Sequence, residues 1–303
     1  MARSPLFSRK QPGGVYHIDN TALTVGNIWY VDTGSSGKGT TAAYGYNPDA
    51  PFSTVAACLD SGNLASGDIA FVAAGHTETI SAAAGWDIDT AGIQIRGLGW
   101  GNVRPKLTMD TATTTDIDID AASVLLENLI LIAGYADIAA AIDVNSDDFT
   151  IRNCVMKGDN AGLNAKIWIQ DAAATASDRI TVEDCYCMDK DAANTHFINF
   201  AGTGDGHIVR RNVLIGDWGT MCIGGAGVVT NATITDNVIS NDATDNDSCI
   251  NFAATATGIC MRNLACGGAA QANGITATAM AIAQNYYGVV TEDLSAILEP
   301  IAT

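Results

Sequence analysis

The sequence predicts an all-β chain: a right-handed parallel β-helix solenoid with a short N-terminal capping helix and an extended N-terminal arm. Two interleaved repeats and the lack of a helical pattern predict it. Seven segments share one spelling, an apolar residue, two free positions, then Asn or Cys. They are Leu125-x-x-Asn128, Ile151-x-x-Cys154, Val182-x-x-Cys185, Val209-x-x-Asn212, Ile234-x-x-Asn237, Cys260-x-x-Asn263 and Ile282-x-x-Asn285. Their fourth positions lie 26, 31, 27, 25, 26 and 22 residues apart. A second series, Ile117, Ile142, Ile167, Ile198, Ile223, Ile250 and Ile275, is spaced 25, 25, 31, 25, 27 and 25. Both carry one 31-residue step, which a single insertion around Gln170 to Asp178 would explain. No apolar stripe at helical spacing persists from one repeat to the next. A short β-unit that cannot bury its inner face alone must stack on its neighbours, which implies a solenoid.

Taken in order, residues 1–27 read as the extended arm, polar and basic through Arg3, Arg9 and Lys10, with no apolar core of a secretory leader. Residues 28–66 read as an opening strand, a Gly-rich loop and a capping helix. In that helix Ser53 is the expected N-cap and Gly62 lies just past the end. Residues 67–287 are the β-helix, a rod of roughly 40 Å at about 4.8 Å per coil. Residues 288–303 form a C-terminal cap or tail, expected to close the last coil or pack on a neighbouring subunit. The repeated Asn128, Cys154, Cys185, Asn212, Asn237, Asn263 and Asn285 are expected to stack as one ladder, the amides bonding along the column and the thiols acting as small buried apolar groups.

Composition narrows the function. Apolar residues make up 48% and charged residues 16%, below the roughly 25% charged of an average domain. The net charge of -18 argues against nucleic acid or an anionic membrane as a partner. Eight cysteines without paired spacing point to free thiols and synthesis in a reducing cytoplasm.

Several short motifs mimic active sites. Asp32-Thr33-Gly34-Ser35 spells a catalytic aspartic-protease loop, but the two facing carboxylates such a site needs are not supplied. Asp60-Ser61-Gly62 is the only comparable triplet. Gly37-Lys38-Gly39-Thr40 spells the end of a phosphate loop whose first Gly is replaced by Asp32. Both read as turns. Asp116, Asp118 and Asp120, with Glu127 at position twelve, mimic a calcium loop, yet Ala121 stands where Gly is wanted. Period-2 alternation reads the stretch instead as a strand with carboxylates outward, so no cofactor is assigned and Ca²⁺ there is the disfavoured reading. Asp147-Asp148 reads as a strand pair pointing to opposite faces. Asp242 and Asp245-Asn246-Asp247 read as a solvated turn. Cys185-x-Cys187 is expected to place one thiol in and one out, without completing a zinc site. His17, His76, His196 and His207 belong to no motif. No catalytic residue is assigned.

The order Trp29-Tyr30-Val31-Asp32, Gly-rich loop, Pro51-Phe52-Ser53-Thr54, then Gly67-Asp68-Ile69-Ala70-Phe71-Val72 resembles the N-terminal start of the pectin-lyase-like β-helix superfamily. Gly67 to Asp110 is similar to β-helix proteins encoded beside the capsid genes of tailed phages. The resemblance spans most of the chain from about residue 28. With the acidic body, the basic first ten residues and the motif-free coils, it implies a structural virion protein made in the host cytoplasm. This would be a capsid decoration or head-fibre protein docked on the major capsid protein through Arg3, Arg9 and Lys10. A homotrimer follows by analogy with such rods. The alternative is a tail-spike depolymerase or a glycan-binding adhesin acting on a host surface polysaccharide.

Overall fold

The computed structural model describes residues 26–172, 176–242, 247–268, 274–289 and 295–298. Three parallel sheets run the length of the chain. The first has ten strands, from Ile28–Val31 and Ile69–Val72 through to Ala281–Ala283. The second has eight, from Trp86–Ile88 to Ile275–Thr276. The third starts at Thr77–Ile80 and reaches Asn285–Val289, where Ser295–Leu298 adds a tenth strand, antiparallel to the rest. The fold is a parallel β-helix.

One coil shows the path: Thr150–Arg152 in the first sheet, Val155–Gly158 in the third, Ile167–Asp171 in the second, then Thr181–Glu183 back in the first. Strands of three to five residues suffice because each has one inward face and gains its backbone partners from the coils on either side. The inward residues stack by register: Ile95, Leu126, Ile151, Val182, Val209, Ile234 and Cys260 in one column, all essentially inaccessible.

The register corrects three sequence expectations. Leu126, not Leu125, pairs with Ile151, so Asn128 stands over Asn153 and Leu129 over Cys154. Asn128 therefore belongs to the exposed neighbouring column, and the ladder begins Leu129, Cys154, Cys185. Likewise Ile169, not Ile167, pairs with both Ile142 and Ile198. The long step is thus shared between the turn before Ile167–Asp171 and the segment after it, rather than one insertion from Gln170 to Asp178. The apolar residues at 125 and 167 sit one or two places from the true column, and spacing alone could not separate them.

The two-residue turn between first and third sheets explains the ladder's spelling. Its first residue is left-handed in every repeat: Asn128, Asn153, Asp184, Arg211, Asp236, Arg262 and Gln284 have φ between 53° and 61°. Asn and Asp tolerate that conformation, whereas Arg pays roughly 1 kcal/mol for it. The second residue points inward and offsets the cost. Each ladder amide accepts from the one before it and donates to the one after. Asn212 donates its backbone N–H and Nδ2 to Asn237 Oδ1 at 3.1 and 3.0 Å, and Asn237 does the same to Asn263 at 3.1 and 2.9 Å. Asn263 hands on to Asn285 at 2.9 and 3.0 Å. The second Nδ2 hydrogen of each reaches a carbonyl on an earlier coil, as from Asn237 to Val209 at 2.9 Å. At the other end, Asn212 Oδ1 accepts the Cys185 amide at 2.9 Å.

The capping helix is Val55–Leu59, and its N-cap is Thr54 rather than Ser53. Thr54 Oγ1 takes the Ala57 N–H at 3.1 Å, while Glu78, from the third sheet, takes those of Val55 and Ala56 at 2.7 and 3.1 Å. Glu78 also accepts the Trp86 indole at 3.0 Å and a bond from His76 Nε2 at 3.1 Å, since His76 Nδ1 is occupied by the Thr33 N–H. Two more buried acids hold indoles: Asp68 with Trp29 at 2.8 Å and Asp189 with Trp168 at 3.1 Å. Three buried carboxylates thereby satisfy three tryptophans, and two of them tie the N-terminal cap to the first coil.

Candidate functional site

The outer faces of the first two sheets carry the rod's ordered charge, because parallel in-register stacking places every outward residue over its counterpart one strand spacing, about 4.8 Å, away. On the second sheet this stacks Asp87, Asp118 and Asp143 directly on one another. The column continues as Gln170, Asn199, Gly224, Asn251 and Thr276. Asp116 and Asp120 flank it, with the Ala84 N–H donated to Asp116 and the Asn145 amide to Asp120 at 2.8 Å. Ile117 and Ile119 point inward and are fully buried, so the stretch has the alternating outward-acid pattern expected of it.

Electrostatics follows from this stacking. Partial burial first, and then the neighbouring Asp116, Asp120, Asp143 and Asp87, together push the Asp118 carboxyl up to about 6. Burial also raises Asp87 and Asp143, again reinforced by neighbouring aspartates. A carboxylate surrounded by its own kind holds a proton that an isolated one would release. Beneath the column, the inward Asp171 replaces the apolar residue of that position, between Val144 and Phe200. Burial pushes it up to about 7.

The sequence-predicted groups are otherwise dispersed. Among the described residues no set of three His, Cys, Asp or Glu is arranged to hold a metal ion. Asp32 Oδ1 accepts the Gly34 N–H at 2.7 Å and Lys38 Nζ donates to the Ser35 carbonyl at 3.1 Å, so both look-alike motifs form one self-bonded turn. Asp147 and Asp148 lie in a turn, not a strand, and converge on Arg179 at 3.3 and 2.6 Å. Asp148 has a left-handed backbone, and that turns the two side chains to the same partner. Cys185 and Cys187 both face inward, contrary to the one-in, one-out expectation, because residues two apart on a strand share a face. All eight cysteines are free, and seven are buried. Burial pushes Cys154 up to about 12 and Cys185 and Cys187 well above the usual thiol range, which makes them poor nucleophiles. His196 and His207 are lowered to about 4 by burial and stay neutral. Arg3, Arg9, Lys10, Asp245 and Asn246 lie outside the described residues.

The acidic column itself was missed, although its signal was in the sequence. Four of the seven second-series Ile are followed by Asp118, Asp143, Asn199 or Asn251, a recurrence visible one position further along those repeats.

A solved rhamnogalacturonan lyase is similar at a TM-score of 0.42 and 10% identity, over 91% of this chain and 90% of that one. No family model and no curated protein matches. A β-helix is compatible with a tail spike, an adhesin or a polysaccharide-acting protein. Asp118 lies one strand spacing from Asp87 and from Asp143, and those two are separated by about 9.6 Å. The carboxylate separations used in glycoside hydrolysis, about 5 to 9.5 Å, fall in this range.

Proposed function

We propose that this chain is a structural, non-enzymatic virion protein of a tailed phage. It would be a capsid decoration or head fibre, held to the major capsid protein by residues 1–27 and assembled as a homotrimer. The observation that carries this reading is the regularity of the rod. From Gln94–Gly97 to Gly258–Met261, strands of the first sheet stack in unbroken register, and their outward charges are spent on one another. The likeness of Gly67 to Asp110 to proteins encoded beside capsid genes supports the same assignment. So does the contrast between the basic Arg3, Arg9 and Lys10 and a chain of net charge -18. The test is quantitative mass spectrometry of purified virions. A copy number approaching that of the capsid protein is expected, and absence from the particle overturns the reading. Deleting residues 1–14 should leave a folded rod that no longer binds capsids.

The acidic column favours a second reading, action on a host surface polysaccharide. Asp118, its carboxyl pushed up to about 6, would serve as general acid with Asp87 or Asp143 as the second carboxyl group. Release of reducing sugar from host capsule by the wild type, abolished in Asp118→Asn, would establish it. Binding without release would indicate an adhesin.

A further inference from the structure

The outer face of the third sheet is unlike the other two. Val155, Tyr186, Val213, Val238, Leu264 and Tyr286 stand in one register column along the rod. The last five are exposed by 37%, 36%, 42%, 54% and 49%, and Met188, in the adjoining column, by 47%. Strand after strand, these side chains point outward at positions where water would ordinarily select Thr, Lys or Glu. From Tyr186 onward, no outward residue of this sheet's parallel strands is charged. In a chain with 33 acidic residues, that is a segregation of charge rather than a dilution of it.

The exposed apolar area of the column and Met188 is on the order of 500 Å², the upper range for the largest patch of a monomer. We propose that this face is where copies of this chain meet side by side, third sheet against third sheet. Two such patches apposed remove about 1,000 Å² from water, the lower threshold for a biological interface. Charge selects the same occupant. A copy approaching through the second sheet would bring stacked aspartates together, whereas the third-sheet face offers a neutral approach to a partner of equally negative charge. The regular pleat gives each copy the same ridge of side chains, so every copy can present the same face toward a shared symmetry axis. The antiparallel Ser295–Leu298 at the end of this sheet presents the wrong strand polarity for extending the parallel stack, which favours lateral over end-to-end association.

The inference concerns the purified chain and is separable from the virion assignment, whose test reads particles. Native mass spectrometry and analytical ultracentrifugation of the full chain at micromolar concentration should give one discrete oligomer. The double variant Val238→Glu/Leu264→Glu changes only exposed side chains. It should run as a monomer with an unchanged far-UV spectrum, its dissociation constant raised at least a hundredfold, while Val238→Ile/Leu264→Met retains the oligomer. A monomeric wild type overturns the proposal, whether its stripe is covered by the chain's own residues 1–25 or kept for a different protein. An oligomer indifferent to the two glutamates overturns it too.

Discussion

The first and second sheets stack outward residues by the same rule and reach opposite electrostatic results. On the first, one column reads Arg96, Glu127, Arg152, Glu183, Arg210, so each of the three inner charges lies between two of opposite sign. Glu127 meets Arg96 at 3.1 Å and Arg152 at 2.8 Å, and Glu183 meets Arg210 at 2.7 Å and Arg211 at 2.9 Å. The left-handed column beside it adds Asp184 with Arg211 and Asp236 with Arg262, both at 2.7 Å. On the second sheet the corresponding column reads Asp87, Asp118, Asp143. Parallel register is indifferent to sign: it amplifies whatever the repeat supplies, attraction in one column and repulsion in the next. A rod can therefore fasten one face and load another without altering its backbone.

The interior sets the scale against which both faces are measured. Asn237→Leu removes the carbonyl that receives two donors from Asn212 and the amide that supplies Val209 and Asn263. Several buried groups lose their partners together, so a loss of about 3 kcal/mol is expected in urea unfolding. Glu183→Ala comes next, since its side chain is 12% exposed and two guanidiniums converge on it. Its loss leaves Arg210 without its acid and Arg211 with Asp184 alone, and should cost about 2 kcal/mol. If Glu183→Ala were neutral, the alternating column would be decoration and the contrast between the faces would collapse.

On the second sheet the sign reverses. Asp118 has a folded-state pKa of about 6 against the ordinary 3.8, so the folded state binds the extra proton. Its favourable condition exists below pH 3.8 and is lost as pH rises through about 6. Because the group is only partly buried, solvent screening reduces the penalty to about 1 kcal/mol at pH 7. Asp118→Asn should thus be more stable than wild type by that amount at pH 7 and indistinguishable from it near pH 4. The difference between the two proteins is the quantity to measure. Wild-type stability also contains His196 and His207, lowered to about 4, whose contributions fall as pH drops below 6.5. A variant equal to wild type at both pH values would remove the charge argument from this face.

Much of the fold was legible because stacking repeats the same demand every coil. Asn212, Asn237, Asn263 and Asn285 announce the turn by spelling, and the isoleucines announce the core. Register was less legible: Asn128 and Ile167 satisfy the pattern while standing beside it, since neighbouring positions are also polar or apolar for their own reasons. Contacts between distant segments could not be read at all. Glu78 caps a helix 22 residues away and Asp68 holds an indole 39 residues away, and neither acid differs locally from a surface one. The acidic column lay between these extremes. Its members were noticed singly, as Asp116, Asp118 and Asp120 along the strand, when the informative direction ran across strands through Asp87, Asp118 and Asp143.

Salt offers the smallest effect and tests both faces at once. Raising ionic strength from 0.01 to 1 M shortens the screening length from about 30 to about 3 Å, less than one strand spacing. Attraction in the first column and repulsion in the second must both weaken, so the wild-type melting temperature reports only their difference. The single variants separate them. Asp118→Asn lacks part of the repulsion that salt relieves, so its gain over wild type should shrink to a few tenths of a kcal/mol at 1 M. Glu127→Ala lacks attraction that salt would have screened anyway, so its deficit should shrink as well. Opposite signs at low salt that converge at high salt would show that the two faces differ by charge alone. A difference that survives at 1 M would mean that what salt cannot screen, the desolvation of Asp118 or the packing of the side-chain stems, distinguishes them.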